Sequence, residues 1–288
     1  MKLKGIYLAI ALGLTINTQA IQKVIYGEDN RRDIFEVTNP AFLEMASSTA
    51  ALISKSNLGR STNMTKVYAR SLGEVRGLCE SEPFREQPAA ANCSGFLVSP
   101  TLLVTAGHCV RNDSQCKGYG YVFGYKTVRN GQTEFKVPNE NVYNCKKLVK
   151  TVLNSLGDKL DYAVVELDRP VTGAKIMPFR RSGEIQTGEE LVVIGHPSGL
   201  PTKVADGAYV RSNGATGYFT ANLDTYGGNS GSAVFNTMTG EIEGILVRGE
   251  NDYVRRNSGC IESNVCPMTG CRGEDVTRIT SIEEIKDL

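Results

Sequence analysis

The sequence has little net charge and few histidines. Its 32 Lys and Arg residues nearly balance 31 Asp and Glu residues, for a formal net charge of +1. This balance argues against a polybasic nucleic-acid-binding surface, and we expect no nucleic-acid partner. His108 and His196 lie far in sequence from Cys260, Cys266 and Cys271, which lack C-x-x-C spacing. The sequence therefore predicts no zinc site, and we expect no metal.

Long apolar runs are absent after residue 20, where no stretch approaches the roughly 18 residues of a membrane span. Within residues 1–20, Lys2 and Lys4 precede the apolar stretch Ile6–Ile16, and small residues end at Ala20. This layout predicts a secretory signal peptide, with an uncleaved anchor as the alternative. We expect a product secreted to the periplasm or the medium, without stable membrane association after cleavage.

The eight cysteines fit an exported protein, because disulfides persist in oxidising compartments. An even count allows four bridges, and the sequence alone does not determine their pairing.

The chain contains many short β-rich runs and no long helical periodicity. Residues 21–75 are polar and punctuated by glycine for much of their length, and we expect a surface segment that is in part a pro-region. A short helix leading into a strand is expected within 40–55. From residue 76 onward, frequent Gly, Pro, Asn and Asp separate the β-rich runs, which predicts an antiparallel barrel or sandwich. Residues 169–181 resemble a connector between two halves.

Three segments carry residues suited to nucleophilic catalysis. They are Thr105–Cys109, which contains His108; Asp161–Leu167, an acid before an apolar strand; and Gly227–Ser232, which contains Ser230. A serine hydroxyl needs an adjacent base to accept its proton, and histidine has a suitable pKa. A buried carboxylate then fixes the tautomer of the histidine.

These segments, TAGHC, DYAVVEL and GGNSGS, resemble in this order the His, Asp and Ser motifs of the trypsin/chymotrypsin superfamily. The GNSGS form and the early segment VIYGEDNR resemble the bacterial branch that includes glutamyl endopeptidases. The resemblance extends over about residues 79–277. It implies an all-β fold, a chymotrypsin-like double antiparallel β-barrel with a catalytic cleft between the barrels. The protease domain would span 76–288, with barrels at about 76–168 and 180–280.

The same resemblance implies roles for individual residues. Catalysis would use His108, Asp161 and Ser230, and the backbone N–H groups of Gly228 and Ser230 would form the oxyanion hole. The enzyme would be a monomeric serine endopeptidase that acts on protein or peptide substrates without a cofactor. Asn229 stands where digestive enzymes have an aspartate that pairs with the new N-terminus, so activation by that ion pair is not expected.

One disulfide follows from the resemblance. It implies a bridge between Cys93 and Cys109 beside His108, and Cys116 with Cys145 is a plausible second bridge. The pairing of the remaining four cysteines stays open.

The order of the candidate catalytic residues along the chain distinguishes this sequence from other classes of serine hydrolase. An α/β-hydrolase needs its histidine after the serine, yet both histidines precede Ser230. The order Asp161, His196, Ser230 is formally that of subtilisin, but it requires a parallel α/β fold that the strand pattern does not indicate. We expect His196 to lie in a turn, and Asp158, the rival to Asp161, to be solvated.

The sequence predicts the residues of the specificity pocket less clearly than the catalytic residues. Asp224 precedes Ser230 by six residues, which corresponds to the base of the pocket in trypsin and suggests Arg or Lys at P1; the alternative is a turn cap. Thr225 matches a pocket hydroxyl of glutamyl enzymes, but their pocket histidine is missing before Arg248 and Gly249. Arg248 could bind an acidic P1, neutralise Asp224 or simply be exposed. We expect a basic P1, with glutamyl specificity and an inactive binding module as alternatives.

Overall fold

The computed structural model describes residues 24–257 and 259–288, and the predicted signal peptide lies outside them. The helices are α1 (Pro40–Ser47), α2 (Leu72–Arg76) and α3 (Asp113–Gly118). In chain order the strands are β1 (Ile25–Tyr26), β2 (Arg31–Asp33), β3 (Thr49–Ser54), β4 (Leu58–Arg60), β5 (Met64–Val67), β6 (Ala91–Leu97), β7 (Leu102–Thr105), β8 (Tyr119–Phe123), β9 (Phe135–Pro138), β10 (Val142–Leu153), β11 (Asp161–Leu167), β12 (Glu190–Gly195), β13 (Lys203–Ser212), β14 (Tyr218–Ala221), β15 (Ala233–Asn236), β16 (Ile242–Arg248), β17 (Tyr253–Arg255), β18 (Ile261–Ser263), β19 (Val265–Cys266) and β20 (Glu274–Arg278).

Two antiparallel barrels form the architecture. The first is closed, with strand order β10-β11-β7-β6-β3-β8. The second has the order β12-β15-β16-β20-β14-β13 and closes through pairing of β12 with β13. The predicted double β-barrel is therefore confirmed.

Many of the barrel strands are short apolar segments whose side chains are buried by barrel closure. In β11 every residue except Glu166 is buried, as expected for a strand that faces the core and a neighbouring barrel. One continuous apolar cluster joins the barrels, with Phe96 and Val104 from the first and Ile194 and Phe235 from the second. Burial of this cluster holds the barrels together and fixes the cleft between them.

The N-terminal segment contributes strands to both barrels. Helix α1 leads into β3, as the sequence predicts for residues 40–55, and β3 pairs with β6 and β8 inside the first barrel. Strand β2 pairs with β13 of the second barrel. The first barrel thus begins at Thr49, upstream of the boundary expected at residue 76. Local pattern cannot reveal this start, because β3 belongs to the barrel only through pairing with distant strands.

Four disulfides use all eight cysteines. Cys93–Cys109 and Cys116–Cys145 lie within the first barrel, as expected. The pairs that the sequence leaves open are Cys79–Cys260 and Cys266–Cys271. Among residues 24–257 and 259–288, no helix is long and apolar enough to cross a membrane.

Candidate active site

His108 and Asp161 form a doubly hydrogen-bonded pair at the edge of the first barrel. β7 ends three residues before His108, and its partner β11 begins at Asp161. Asp161 Oδ2 lies 2.8 Å from His108 Nδ1, and Oδ1 accepts the backbone N–H of His108 at 3.0 Å. With the carboxyl ionised, Nδ1 carries the proton and Nε2 is left to act as a base.

Asp161 is 2% exposed, so its charge depends on its partners. Burial alone would raise the pKa of this carboxyl, but the hydrogen bonds and charge of His108, with the charge of Arg248, hold the pKa below its ordinary value. The carboxylate therefore remains ionised at neutral pH.

Gly107 permits the close packing of the His108 loop against the strands behind it. A Cβ at Gly107 would overlap the backbone carbonyl of Val152 and crowd that of Tyr162. The glycine therefore lets the loop approach β10 and β11 closely enough for His108 to meet Asp161.

Ser230 lies in a buried turn that is fastened to the His108 side of the cleft. Its carbonyl oxygen accepts the N–H of Ser94 at 2.8 Å and lies 3.7 Å from Sγ of Cys109, the residue after His108. The next residue, Gly231, has φ +90° and packs against Thr105 so closely that a side chain would clash. The structure thus brings Ser230 beside the loop that carries His108.

Hydrogen bonds on either side fix the orientation of the backbone at Gly228. The carbonyl of Gly227 accepts the N–H of Ser198 at 2.6 Å, and the described residues contain no cis peptide bond. In a trans peptide the following N–H points the opposite way, so the Gly228 N–H is directed away from Ser198. Gly228 has φ +100°, a conformation that favours glycine.

Ser94 is a supporting residue that sequence reasoning missed. Its hydroxyl donates to the carbonyl of Gly228 at 2.8 Å and accepts the backbone N–H of His196 at 3.0 Å. Its own N–H donates to the carbonyl of Ser230, so Ser94 ties the Ser230 turn to β6. The sequence offers one sign of this role, because Ser94 follows Cys93, whose disulfide partner Cys109 is next to His108.

His196 lies in a turn, fully buried, as expected for a structural residue. Nδ1 lies 3.0 Å from the carbonyl of Leu200, and the ring stacks on Tyr125. Burial lowers the pKa of His196 to about 4, so the ring is neutral at pH 7. Asp158 is exposed in the turn before β11, where it accepts from Asn154.

Asn229 is buried in the same turn as Ser230. Its Oδ1 accepts the hydroxyl of Ser232 at 3.3 Å, and its N–H donates to the carbonyl of Tyr226. The amide thus stabilises the turn without a charged partner among these contacts.

Arg248 lies behind Asp161. Its guanidinium donates to Asp275 and to the carbonyl of Lys159, and Nη1 is 3.7 Å from Asp161 Oδ2. The guanidinium contacts Asp161 and Asp275, so it does not neutralise Asp224, and its side chain is only 25% exposed.

Asp224 binds the N-terminal segment. One carboxylate oxygen accepts the N–H of Tyr26 at 2.7 Å, and the other accepts the N–H of Asn30 at 2.9 Å. Burial raises the pKa of Asp224 to about 6. Since both oxygens are occupied by backbone donors, the geometry does not favour a role in reading a basic P1 side chain.

Thr225 and Gly249 converge on a residue that the sequence analysis did not single out. The Thr225 hydroxyl donates to Glu274 Oε2 at 2.9 Å, and a Cβ at Gly249 would overlap the same carboxylate. Glu274 begins β20, 44 residues after Ser230, and no local pattern marks it.

The donor atoms near the site do not favour the binding of a metal ion. Cys93, His108 and Cys109 are close enough to share an ion, but both sulfurs are joined in a disulfide and cannot act as thiolate ligands.

Comparison with known proteins agrees with this geometry. A family model described as trypsin-like peptidase domain matches residues 93–245, which include all three motif segments. A glutamyl endopeptidase of Bacillus licheniformis is 28% identical over 150 residues, which are 50% of this chain and 45% of that protein. Serine protease HTRA1B of Danio rerio is 27% identical over 173 residues, 56% of this chain and 31% of that protein.

The chain thus spans less than half the length of these two curated relatives. A solved structure of a Glu endopeptidase in complex with MPD has the same fold, with a TM-score of 0.50 and 17% identity, covering 92% of this chain and 100% of that one. Because the family model matches more than half of the chain, the protein belongs to the trypsin-like peptidase domain family.

Proposed function

We propose that the protein is a secreted serine endopeptidase that uses Ser230, His108 and Asp161. The observation that carries this proposal is the doubly hydrogen-bonded His108–Asp161 pair, held beside the Ser230 turn. An inactive binding module would have no use for a buried carboxylate that fixes the histidine tautomer.

The reaction follows from the roles of these groups. Ser230 Oγ attacks the peptide carbonyl while His108 Nε2 accepts its proton, and Asp161 stabilises the imidazolium. The N–H groups of Gly228 and Ser230 stabilise the oxyanion. His108 then protonates the leaving amine, and the acyl-enzyme is hydrolysed by water that His108 deprotonates.

The substrate is a protein or peptide. The sequence favours Arg or Lys at P1, although the contacts of Asp224 with Tyr26 and Asn30 do not favour the residue on which that expectation rests. The alternative of Glu at P1 is supported by the glutamyl endopeptidase relative. Secretion is supported by the four disulfides, which persist under oxidising conditions.

Labelling with a fluorophosphonate probe tests the nucleophile. We expect covalent modification of Ser230, identified by peptide mass spectrometry, because activated serines react with such electrophiles. Ser230→Ala should abolish labelling, and His108→Ala should reduce it strongly. Labelling that persists in folded Ser230→Ala would contradict the assignment.

A further inference from the structure

The turn His196–Gly199 packs directly against the backbone of the proposed oxyanion hole. The N–H of Ser198 donates to the carbonyl of Gly227 at 2.6 Å. A Cβ at Gly228 would lie 2.5 Å from the carbonyl oxygen of His196, closer than side chains approach backbone in folded proteins. The turn therefore holds the peptide between Gly227 and Gly228, which carries one of the two proposed oxyanion donors.

Ser198 has a backbone conformation that is unfavourable for serine. Its φ is +53° and its ψ is +19°, in the left-handed region where a Cβ is strained. The residue is buried, so it is held there by the groups around it. Strained residues of this kind persist only where surrounding contacts hold them, and they concentrate at functional sites. The contacts of Ser198 thus bear on the position of the Gly227 carbonyl.

The side chain of Ser198 makes one such contact, with Tyr253. The two hydroxyl oxygens lie 2.6 Å apart, and burial raises the pKa of Tyr253 to about 12, so the phenol keeps its proton at neutral pH. The ring of Tyr253 packs against Tyr226, with 4.9 Å between the ring centroids. Tyr253 begins β17, and the disulfide Cys79–Cys260 joins the hairpin of β17 and β18 to the chain after α2. The phenol is therefore carried by an anchored hairpin.

We infer that Tyr253 is a positioning residue for the oxyanion hole and acts through Ser198. The phenol holds the Ser198 side chain, and the strained turn then presents the Ser198 N–H to the Gly227 carbonyl. That hydrogen bond keeps the Gly228 N–H directed away from the turn, because the N–H and C=O of a trans peptide point in opposite directions. The inference rests on the proposed endopeptidase function, in which the Gly228 N–H stabilises the oxyanion.

Loss of the phenol hydroxyl should weaken this arrangement without abolishing it. Ser198 could then relax from the left-handed region and turn its N–H from the Gly227 carbonyl. Two other contacts would remain, since the Ser94 hydroxyl donates to the Gly228 carbonyl and Asp252 Oδ2 accepts the Gly227 N–H at 3.0 Å. The oxyanion donor would therefore be displaced in part of the molecules and not removed.

The test is the steady-state kinetics of Tyr253→Phe with a peptide that the wild type cleaves. We expect kcat to fall about 10-fold, less than the roughly 10²-fold or more that follows removal of an oxyanion donor. KM should stay close to the wild-type value, because the donor acts in the transition state and the aromatic ring is retained. The second-order rate constant for fluorophosphonate labelling should fall in parallel, since the phosphoryl oxygen uses the same donors.

A second variant removes the same hydrogen bond from its other end. Ser198→Ala should lower kcat as much as Tyr253→Phe does, and it decides the question if Tyr253→Phe folds poorly. The double variant should be no slower than either single variant, because both changes remove one shared interaction. The matched control is Tyr121→Phe, which removes a buried phenol hydroxyl bonded to the carbonyl of Cys116 in the first barrel and should keep the wild-type kcat.

The pH profile separates positioning of the oxyanion hole from damage to the base. In Tyr253→Phe the midpoint of the pH dependence of kcat/KM should match wild type, since the His108–Asp161 pair is untouched. Wild-type kcat in the folded single variants, losses that multiply in the double variant, or a shifted midpoint would overturn the role of Tyr253. Absence of both turnover and labelling in folded wild type would instead overturn the proposed catalytic function.

Discussion

Asp161 contacts both the ring and the backbone of His108, so a change in its charge alters the base directly. In Asp161→Asn the amide cannot stabilise an imidazolium, and it favours the wrong tautomer of His108. We expect kcat to fall about 10⁴-fold with the fold retained. Turnover of a peptide substrate, with circular dichroism as the folding control, measures this. Activity close to wild type would make Asp161 a bystander.

The residues of the site differ in how far the sequence predicts them. His108, Asp161 and Ser230 each lie in a local motif, so their chemistry can be recognised one segment at a time. Glu274 reaches Thr225 only because β20 closes the second barrel next to β14. Such a contact depends on strand order, which no short stretch of sequence specifies.

At the level of elements, strands with short apolar runs are predicted well and polar ones are not. β11 has the bounds that the sequence analysis expects. β10, by contrast, runs from Val142 to Leu153 with three lysines, mostly partial burial and register shifts against β11. Its irregular alternation explains why the sequence does not reveal it.

The N-terminal segment is joined to the second barrel through Asp224, which makes their association dependent on pH. The pKa of Asp224 is about 6 in the folded protein, against about 3.9 in an unfolded chain. Between these values the folded state binds more protons, so this residue lowers the free energy of unfolding as pH rises from about 4 to about 6. The change is on the order of 3 kcal/mol.

Asp224→Asn removes that titration. Urea denaturation between pH 4 and 7, in a Ser230→Ala background to prevent self-digestion, should show the stability advantage of Asp224 over Asn shrinking as pH rises. A difference that is constant across this range would contradict the assignment.

For the whole molecule, the disulfides differ in the length of chain that each one restrains. Cys79–Cys260 joins residues 181 apart, whereas Cys266–Cys271 joins residues 5 apart. The loss of chain entropy in the unfolded state predicts about 5 kcal/mol of stabilisation for the long loop and about 2 kcal/mol for the short one.

Replacing each pair by serines tests this ranking. We expect the double variant at 79 and 260 to lower Tm clearly more than the double variant at 266 and 271, measured by calorimetry in the Ser230→Ala background. Equal losses would show that strain or local packing, and not loop closure, dominates.

The pairing of β2 with β13 has a consequence for how the protein is made. Asp33 is synthesised 170 residues before its partner Lys203. At about 5–20 residues per second, the ribosome needs roughly 10–30 s to deliver that partner. Throughout this interval β2 has no partner strand, so the N-terminal segment cannot dock onto the second barrel. Docking of the N-terminal segment is therefore one of the last steps available to the growing chain.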